Sequence, residues 1–410
     1  MPNFSIALTG LQADTTALNM IGNNLANLNT TAFKDGTTSF QDLFYQNIGT
    51  TGSGDQLQVG VGTRVSGTTS NFSQGSLTTT STDSDMALSG SGFFLLQQGN
   101  QQSLTRAGNF LLDSQGNLTT SSGQSVMGYG ANADGSINLN AGLVPIDLPV
   151  TTTEAASASS NLSMTTSLNT DSPTGTSFSS EATLYDSLGE THVATVTYTK
   201  TSPSTWGYSV DIPSGDYTGT PVNNTGTLTF DSSGTLTAPT GNVTGVSFPG
   251  MTDGASDLTF NYNLYDSKNN PVVTETAGTS NTSATTQDGF ASGSYQGFSV
   301  DATGTISASF SNGHTAVVGQ VAVALVANQE GLSLAGGNEY KATAASGLIT
   351  VGTGGVGGRA TLENQALEQS NVDISAEFSN LIVAQRAFEA NSKTVTTFDE
   401  VTQEAIGMLH

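Results

Sequence analysis

The chain has 410 residues, no cysteine, 9 basic against 33 acidic side chains and a net charge of −24, and only 10% of it is charged, against roughly 25% in an average soluble protein. Disulfides, thiolate metal sites and cysteine nucleophiles are excluded, and so few basic groups leave phosphate backbones and anionic membranes without the Lys and Arg that would neutralise them. The length predicts two or three compact units with a sizeable core.

The first element is an amphipathic helix over residues 3–29, roughly 40 Å long at 1.5 Å per residue. In heptad register Phe4, Leu11, Leu18 and Leu25 fall on one line, Ala7, Ile21 and Leu28 on the next, with Leu8 beside them and only Asp14 breaking the seam. Asn27, Asn29, Thr30 and Thr31 then favour local side-chain bonds and end the helix. The stretch has no basic n-region and is broken by polar residues, so it reads as neither a secretory signal nor a membrane span. A cytoplasmic protein would fit that, but a cysteine-free, Lys-poor, Thr/Gly-rich β composition also fits export to the cell exterior, which is the preferred reading.

Residues 31–75 read as an extended connector anchored by Phe40, Leu43, Phe44 and Tyr45, with a flexible stretch from Gly49 to Gly54. A two-residue period begins near Gln74, as in Gly92-Phe93-Phe94-Leu95-Leu96, and opens a first β domain over 76–150. Tracts at 151–160 and 276–286 lack an apolar period and read as crossings. Between them, strands at 182–185, 192–198, 206–210, 227–230 and 258–264 form an inserted outer β domain, 151–286, with the single Trp. The first domain resumes over 287–351, residues 352–369 form a second connector, and residues 370–410 join 1–30 in a helical terminal domain.

In the last helix Ile374, Leu381, Phe388 and Val395 keep the heptad with Phe378 alongside, and Phe398, Val401, Ala405 and Met408 extend the apolar face toward His410. The expected fold is therefore mainly β, with paired coiled-coil-like terminal helices and two nested all-β domains. Two such helices with no third element to cover them ask for neighbours, and a head-to-tail contact that does not close makes a helical polymer.

Motifs that could carry chemistry read better as structure. Asp113-x-x-Gly116, Asp186-x-x-Gly189, Asp231-x-x-Gly234 and Asp301-x-x-Gly304 are hairpin turns in which Asp accepts from the backbone and Gly takes positive φ. The further oxygen ligands of a calcium loop are not in register. Gly352-Thr353-Gly354-Gly355-Val356-Gly357 matches a dinucleotide fingerprint, but one long helix follows it and no βαβ unit. Gly352, Gly354, Gly355, Gly357 and Gly358 are taken as a hinge. His192, His314 and His410 are too scattered for a metal face, and no G-x-S-x-G elbow occurs. No catalytic residue, metal or cofactor is expected, and the protein is not expected to be an enzyme.

Asn23-Asn24-Leu25-Ala26-Asn27-Leu28-Asn29-Thr30-Thr31-Ala32-Phe33-Lys34 resembles the N-terminal signature of the bacterial flagellar rod and hook family of axial proteins. Leu362-Glu363-x-Gln365, Ser370-Asn371-Val372-Asp373 and the run from Leu381 to Lys393 resemble its C-terminal counterpart. Asp85-Met86-Ala87, Gly90-Ser91-Gly92-Phe93-Phe94 and Thr105-Arg106-Ala107-Gly108-Asn109-Phe110 are similar to its β domain, and the insertion opening at Ala182-Thr183-Leu184-Tyr185-Asp186-Ser187-Leu188-Gly189 is similar to that of the hook branch. The chain departs from the pattern at Ala32 and Thr361, where the family usually has Gly.

The resemblance implies a structural subunit that assembles into a curved hollow tube, transmitting torque from rod to filament as a flexible joint. It also implies a place in the flagellum outside the cell, reached by export without a cleaved signal. Implied partners are other copies of the chain, the distal rod, the hook cap, the hook-filament junction and the export apparatus, with neither nucleic acid nor membrane insertion. The composition also allows an exported adhesin or surface-layer-like protein, and the shared blocks allow a distal rod protein.

Overall fold

A computed structural model describes residues 3–50, 52, 56–132 and 134–408, with the side chains of Asn3 and Phe4 excepted. Phe4's side chain, His410 and part of the 49–54 stretch thus lie outside the described residues. Strands dominate, with one long helix toward each end: α1, Asn3–Ala26, and α2, Ile374–Gly407. Asp373 caps α2, its carboxylate accepting from Ser375 and Ala376 N–H at 2.8 and 3.2 Å. No described helix is long and apolar enough to cross a membrane.

The chain divides into two compact units, one of residues 1–150, 297–308 and 316–410, the other of 151–296 and 309–315. In the first, α1 and α2 lie antiparallel, since Asp14 meets Asn391 at one end and Asn24 meets Glu377 at the other. The segment expected as an irregular connector is instead a long antiparallel hairpin. β1 (Gly36–Asp42) pairs with β4 (Thr63–Ser70), and β2 (Tyr45–Thr50) with β3 (Gln56–Gly60) at the tip. Both faces of the tip are in water, so these strands carry no apolar alternation to read.

The β core of the first unit gathers Phe93, Leu95, Leu104, Met127, Ala324 and Tyr340, with Phe72 set against Phe93 and Tyr340 at ring distances of 5.8 and 5.4 Å. Strand Met86–Ser89 pairs with Thr361–Asn364, and Leu77–Thr79 with Ala366–Glu368, so the chain returns alongside its own beginning before entering α2.

The second unit is two sheets over one apolar core. One sheet runs, in order, Ser177–Tyr185, Thr191–Ser202, Thr205–Asp211, Thr225–Phe230 and Leu236–Ala238. The other centres on Asn161–Asn169, flanked by Leu258–Asn263, Val273–Thr276 and Asn281–Gln287. Leu162, Met164 and Leu168 point inward on alternate positions to meet Trp206, Tyr198 and Phe260. The tract at 276–286 is therefore not simply a crossing, because its second half is an edge strand whose exposed Thr and Ser hid the pairing. Inside, Glu275 accepts from Lys200 and from Trp206 Nε1, a buried charge kept only because it is paired.

The Asp-x-x-Gly turns form as expected. Gly116, Gly189, Gly234 and Gly304 have φ of 98, 85, 79 and 89°, and each Asp Oδ1 accepts from the second and fourth following N–H. Asp266 builds the same turn with Asn269 at φ 64°, since Asn tolerates the left-handed region that otherwise favours Gly.

Candidate functional site

The family-like sequence blocks converge in the first unit. Lys34 Nζ meets Glu368 Oε1 at 2.6 Å, and Arg106 Nη2 meets Glu368 Oε2 at 2.9 Å, with all three side chains buried. Nothing here is left unpaired. Lys34 also donates to Ser73 O at 2.7 Å, Gly75 N–H reaches Glu368 at 2.9 Å, and Arg106 Nη1 holds the carbonyls of Gly90 and Gly92 at 2.7 and 2.8 Å. Burial lowers the Lys34 pKa and Glu368 opposes that shift. One carboxylate thus ties the segment after α1, the β domain and the strand before α2 into one joint.

Amides extend it. Asn24 exchanges two 2.9 Å bonds with the backbone of Gly36, which closes the turn from α1 into β1. Asn371 accepts from Asp35 N–H at 2.8 Å and donates to Asn71 O at 2.8 Å. Ala32 takes φ 54° there and donates to Glu368 O at 2.8 Å, which explains why glycine suits the position. Thr361, the other departure, is an ordinary strand residue opposite Ser89.

Above the joint the helix seam differs from the heptad lines. The buried residues of α1 are Ala7, Ala13, Ile21 and Asn24, and a Cβ at Gly10 would come within 2.7 Å of Asn391. The helices approach on small residues. Leu11, Leu18, Leu25 and Leu28 are half-buried and Leu8 is exposed. On α2 the inward residues are Glu377, Leu381, Ala384, Asn391, Val395 and Phe398, while Ile374, Phe378 and Phe388 are exposed. Asp14, the apparent break, accepts from Asn391 at 2.8 Å.

A third element does cover the helices, contrary to expectation. β1 and β4 pack on α1, with Met20 against Gly36 and Thr9 Oγ1 accepting from Thr63 N–H at 3.3 Å. The cover is one-sided. Phe378, Ile382, Val383 and Val401 of α2 are 52–68% exposed, as are Phe44, Tyr45 and Ile48 on the hairpin, at 57–77%. Of the expected anchor, Leu43 is half-buried and Phe40 turns toward α1, while Phe44 and Tyr45 lie in water. Between α1, α2 and β1 lies a groove of about 360 Å³ lined by Met20, Phe40, Glu377 and Val383.

Glu377 closes the floor of that groove. Burial raises its carboxyl pKa, Asn24 works against the shift, and Asp35 adds to it. Glu377 Oε2 and Asp35 Oδ1 are both buried without a hydrogen-bond partner.

The glycine run is an ordered turn. Gly354 N–H donates to Thr303 O at 3.1 Å, Gly355 N–H to Ala360 O at 3.0 Å, and Gly355, Gly357 and Gly358 have φ of 73, 64 and 79°. Arg359 lies against Gly352 and donates to Val323 O at 3.1 Å. In the second unit His314 Nδ1 sits 2.7 Å from Glu154 and its ring stacks on Phe290. Among the described residues Asp186, His192 and Asp253 could together hold a metal ion.

The ion network escaped the sequence reading because its members are far apart in the chain. Its signal was scarcity, since Lys34 and Arg106 are two of only nine basic side chains.

Four family models match. They are described as flagella basal body rod protein (residues 4–34), flagellar hook protein FlgE/F/G D1 domain (87–159), flagellar basal body protein FlaE D2 domain (160–290) and flagellar basal body rod FlgEFG protein C-terminal (363–408). The flagellar hook protein FlgE of Salmonella typhimurium is 36% identical across 99% of this chain and all of its own length. That of Treponema pallidum is 30% identical across 98% of each. The crystal structure of Helicobacter pylori flagellar hook protein FlgE2 aligns to 71% of this chain and all of its own, at 16% identity and a TM-score of 0.53, which is a likeness of fold.

Proposed function

The chain belongs to the flagellar hook protein family and is a structural subunit of the hook, and we propose that its terminal joint is the device by which copies assemble. The observation that carries this is the one-sided cover of α2. Within one subunit the small-residue seam and β1–β4 satisfy α1, while Phe378, Ile382, Val383 and Val401 stay in water. Apolar surface of that extent is covered by a second copy, each Å² removed from water contributing about 25 cal/mol.

Repeated head to tail, the contact gives a hollow curved tube with the helices lining its inner layer. Ile374, Phe378, Phe388 and the exposed hairpin aromatics would face neighbours, whereas Leu381, Val395 and Phe398 would hold the intramolecular pair. Torque transmission, export to the cell exterior and contacts with rod, cap and junction proteins belong to the same proposal. The adhesin and distal rod readings are set aside, because hook proteins match along the whole chain.

Bending asks for contacts that shift cheaply, which the Ser/Thr-rich faces of the β units supply. A hinge at Gly352–358 would act by releasing the bonds from Gly354 and Gly355. Replacing both with proline should give stiff or unassembled tubes, and tubes that bend normally would refute the hinge.

Electron microscopy of the full chain under polymerising conditions, beside a chain lacking residues 374–408, tests the assembly role. Tubes are expected from the first only. Tubes from the shortened chain would contradict it.

A further inference from the structure

The second unit holds a side-chain cluster of one histidine and three carboxylates. His192, the second residue of strand Thr191–Ser202, is only 5% exposed. Three carboxylates from separate segments surround its ring: Asp186 from the preceding turn, Asp216 from the loop after Thr205–Asp211, and Asp253 from the turn before Leu258–Asn263. The two loops are tied down. Thr252 N–H donates to Asp216 O at 3.0 Å, and Ser256 N–H to Ser187 Oγ at 2.9 Å.

Each carboxylate is aimed. Asp186 spends Oδ1 on the N–H groups of Leu188 and Glu190, both at 2.8 Å, and Asp253 spends Oδ1 on Ala255 N–H at 2.9 Å. Their Oδ2 atoms turn toward His192 Nε2, at 3.4 and 3.7 Å. On the far side of the ring Nδ1 lies 2.9 Å from Asp216 Oδ2. A carboxylate there favours the tautomer with the proton on Nδ1, in which Nε2 carries the lone pair.

The Nε2 distances bear on two chemistries. A good N–H···O bond spans about 2.7–3.2 Å; Asp186 Oδ2 at 3.4 Å is a long hydrogen-bond partner for Nε2, and Asp253 Oδ2 at 3.7 Å is beyond reach. Ligands bound at about 2.0–2.2 Å around a tetrahedral cation stand about 3.3–3.6 Å apart, close to the spacings found. A carboxylate holding Nδ1–H while Nε2 points at further ligand atoms is also the usual outer shell of a metal-bound histidine.

We propose that His192 Nε2, Asp186 Oδ2 and Asp253 Oδ2 bind one divalent transition-metal cation, Zn²⁺ by preference, with Asp216 orienting the imidazole and the fourth position open to water. An imidazole ligand selects this class over Ca²⁺ and Mg²⁺, which take oxygen alone. Asp253, whose side chain is 28% exposed, leaves a path in from solvent. The cation would staple two loops to the end of a strand of the sandwich. The proton competes for the same nitrogen, because only a deprotonated Nε2 can bind the cation, so binding weakens as pH falls.

Calorimetric titration of Zn²⁺ into the metal-stripped full chain, kept monomeric at pH 7.5, tests the site. One equivalent should bind, and saturation should raise the unfolding midpoint by several degrees. Asp216→Asn should weaken binding by about 10–100-fold, and Asp253→Asn, on an exposed turn, should remove both binding and the midpoint shift. His314→Gln, which removes the other described histidine beside a carboxylate, should change neither. Nitrogen NMR of the ring with one equivalent of Zn²⁺ gives an independent reading on the unaltered chain. Absence of a site, a site indifferent to Asp253→Asn, Ca²⁺ binding as tightly as Zn²⁺, or an Nε2 still protonated with Zn²⁺ present would each overturn the proposal.

Discussion

Glu377 is an incompletely satisfied charge in the terminal joint. One oxygen takes a 3.3 Å bond from Asn24, and the other is buried with no partner. Because burial raises its folded pKa, its contribution is favourable below the ordinary carboxylate range and is lost as pH rises through the raised value. At neutral pH it therefore strains the joint. Glu377→Gln, which keeps the shape and removes the charge, should stabilise the monomer at pH 7 by about 1–3 kcal/mol in urea unfolding. No gain, or a loss, would show that the free oxygen is solvated. At this scale the sequence was legible where partners are local. Asp and Gly three apart announced their turns, whereas Lys34, Arg106 and Glu368 gave no local sign of meeting, and His192 read as an ordinary strand residue.

At the scale of elements, both helices were legible from their period to within a few residues at each end. Which face would be buried was not. A heptad of large apolar residues marks a face that some partner covers, without saying whether that partner is in the same chain. Here the intramolecular seam runs on Ala7, Gly10 and Ala13, and the larger side chains are split between seam and solvent. The hairpin was hidden for a related reason, since exposure of both faces removes the alternation that marks a strand. Gly10→Leu should force the helices apart at Asn391 and cost about 1–3 kcal/mol. An unchanged melting midpoint would mean that the pair adjusts without loss.

For the whole molecule, composition shifts along the chain predicted a mainly β middle between two terminal helices, and strands do fill the middle between the two helices. Acid should act on this fold mainly through its turns. Side-chain bonds from Asn117 and Ser233 and a backbone bond from Asn270 lead in lowering the pKa of Asp113, Asp231 and Asp266. At Asp301 burial pushes upward and the bonds from Thr303 and Thr305 outweigh it. Groups with depressed folded values stabilise above their ordinary pKa of about 3.9, and that stability is lost as pH falls through the folded values. The urea midpoint should therefore drop as pH falls below about 4. A flat profile there would mean that the turns hold equally well when protonated.

The claim that most needs testing is that the outward face of α2 serves neighbours and not its own subunit. Ile382 and Val401 are 59% and 58% exposed, so converting both to Asp should leave the melting of the monomer within about 0.5 kcal/mol of the parent. Under polymerising conditions the same variant, viewed by electron microscopy, should form no tubes. Tubes of normal form would contradict the account, because the apolar face would then have no part in the joint between subunits.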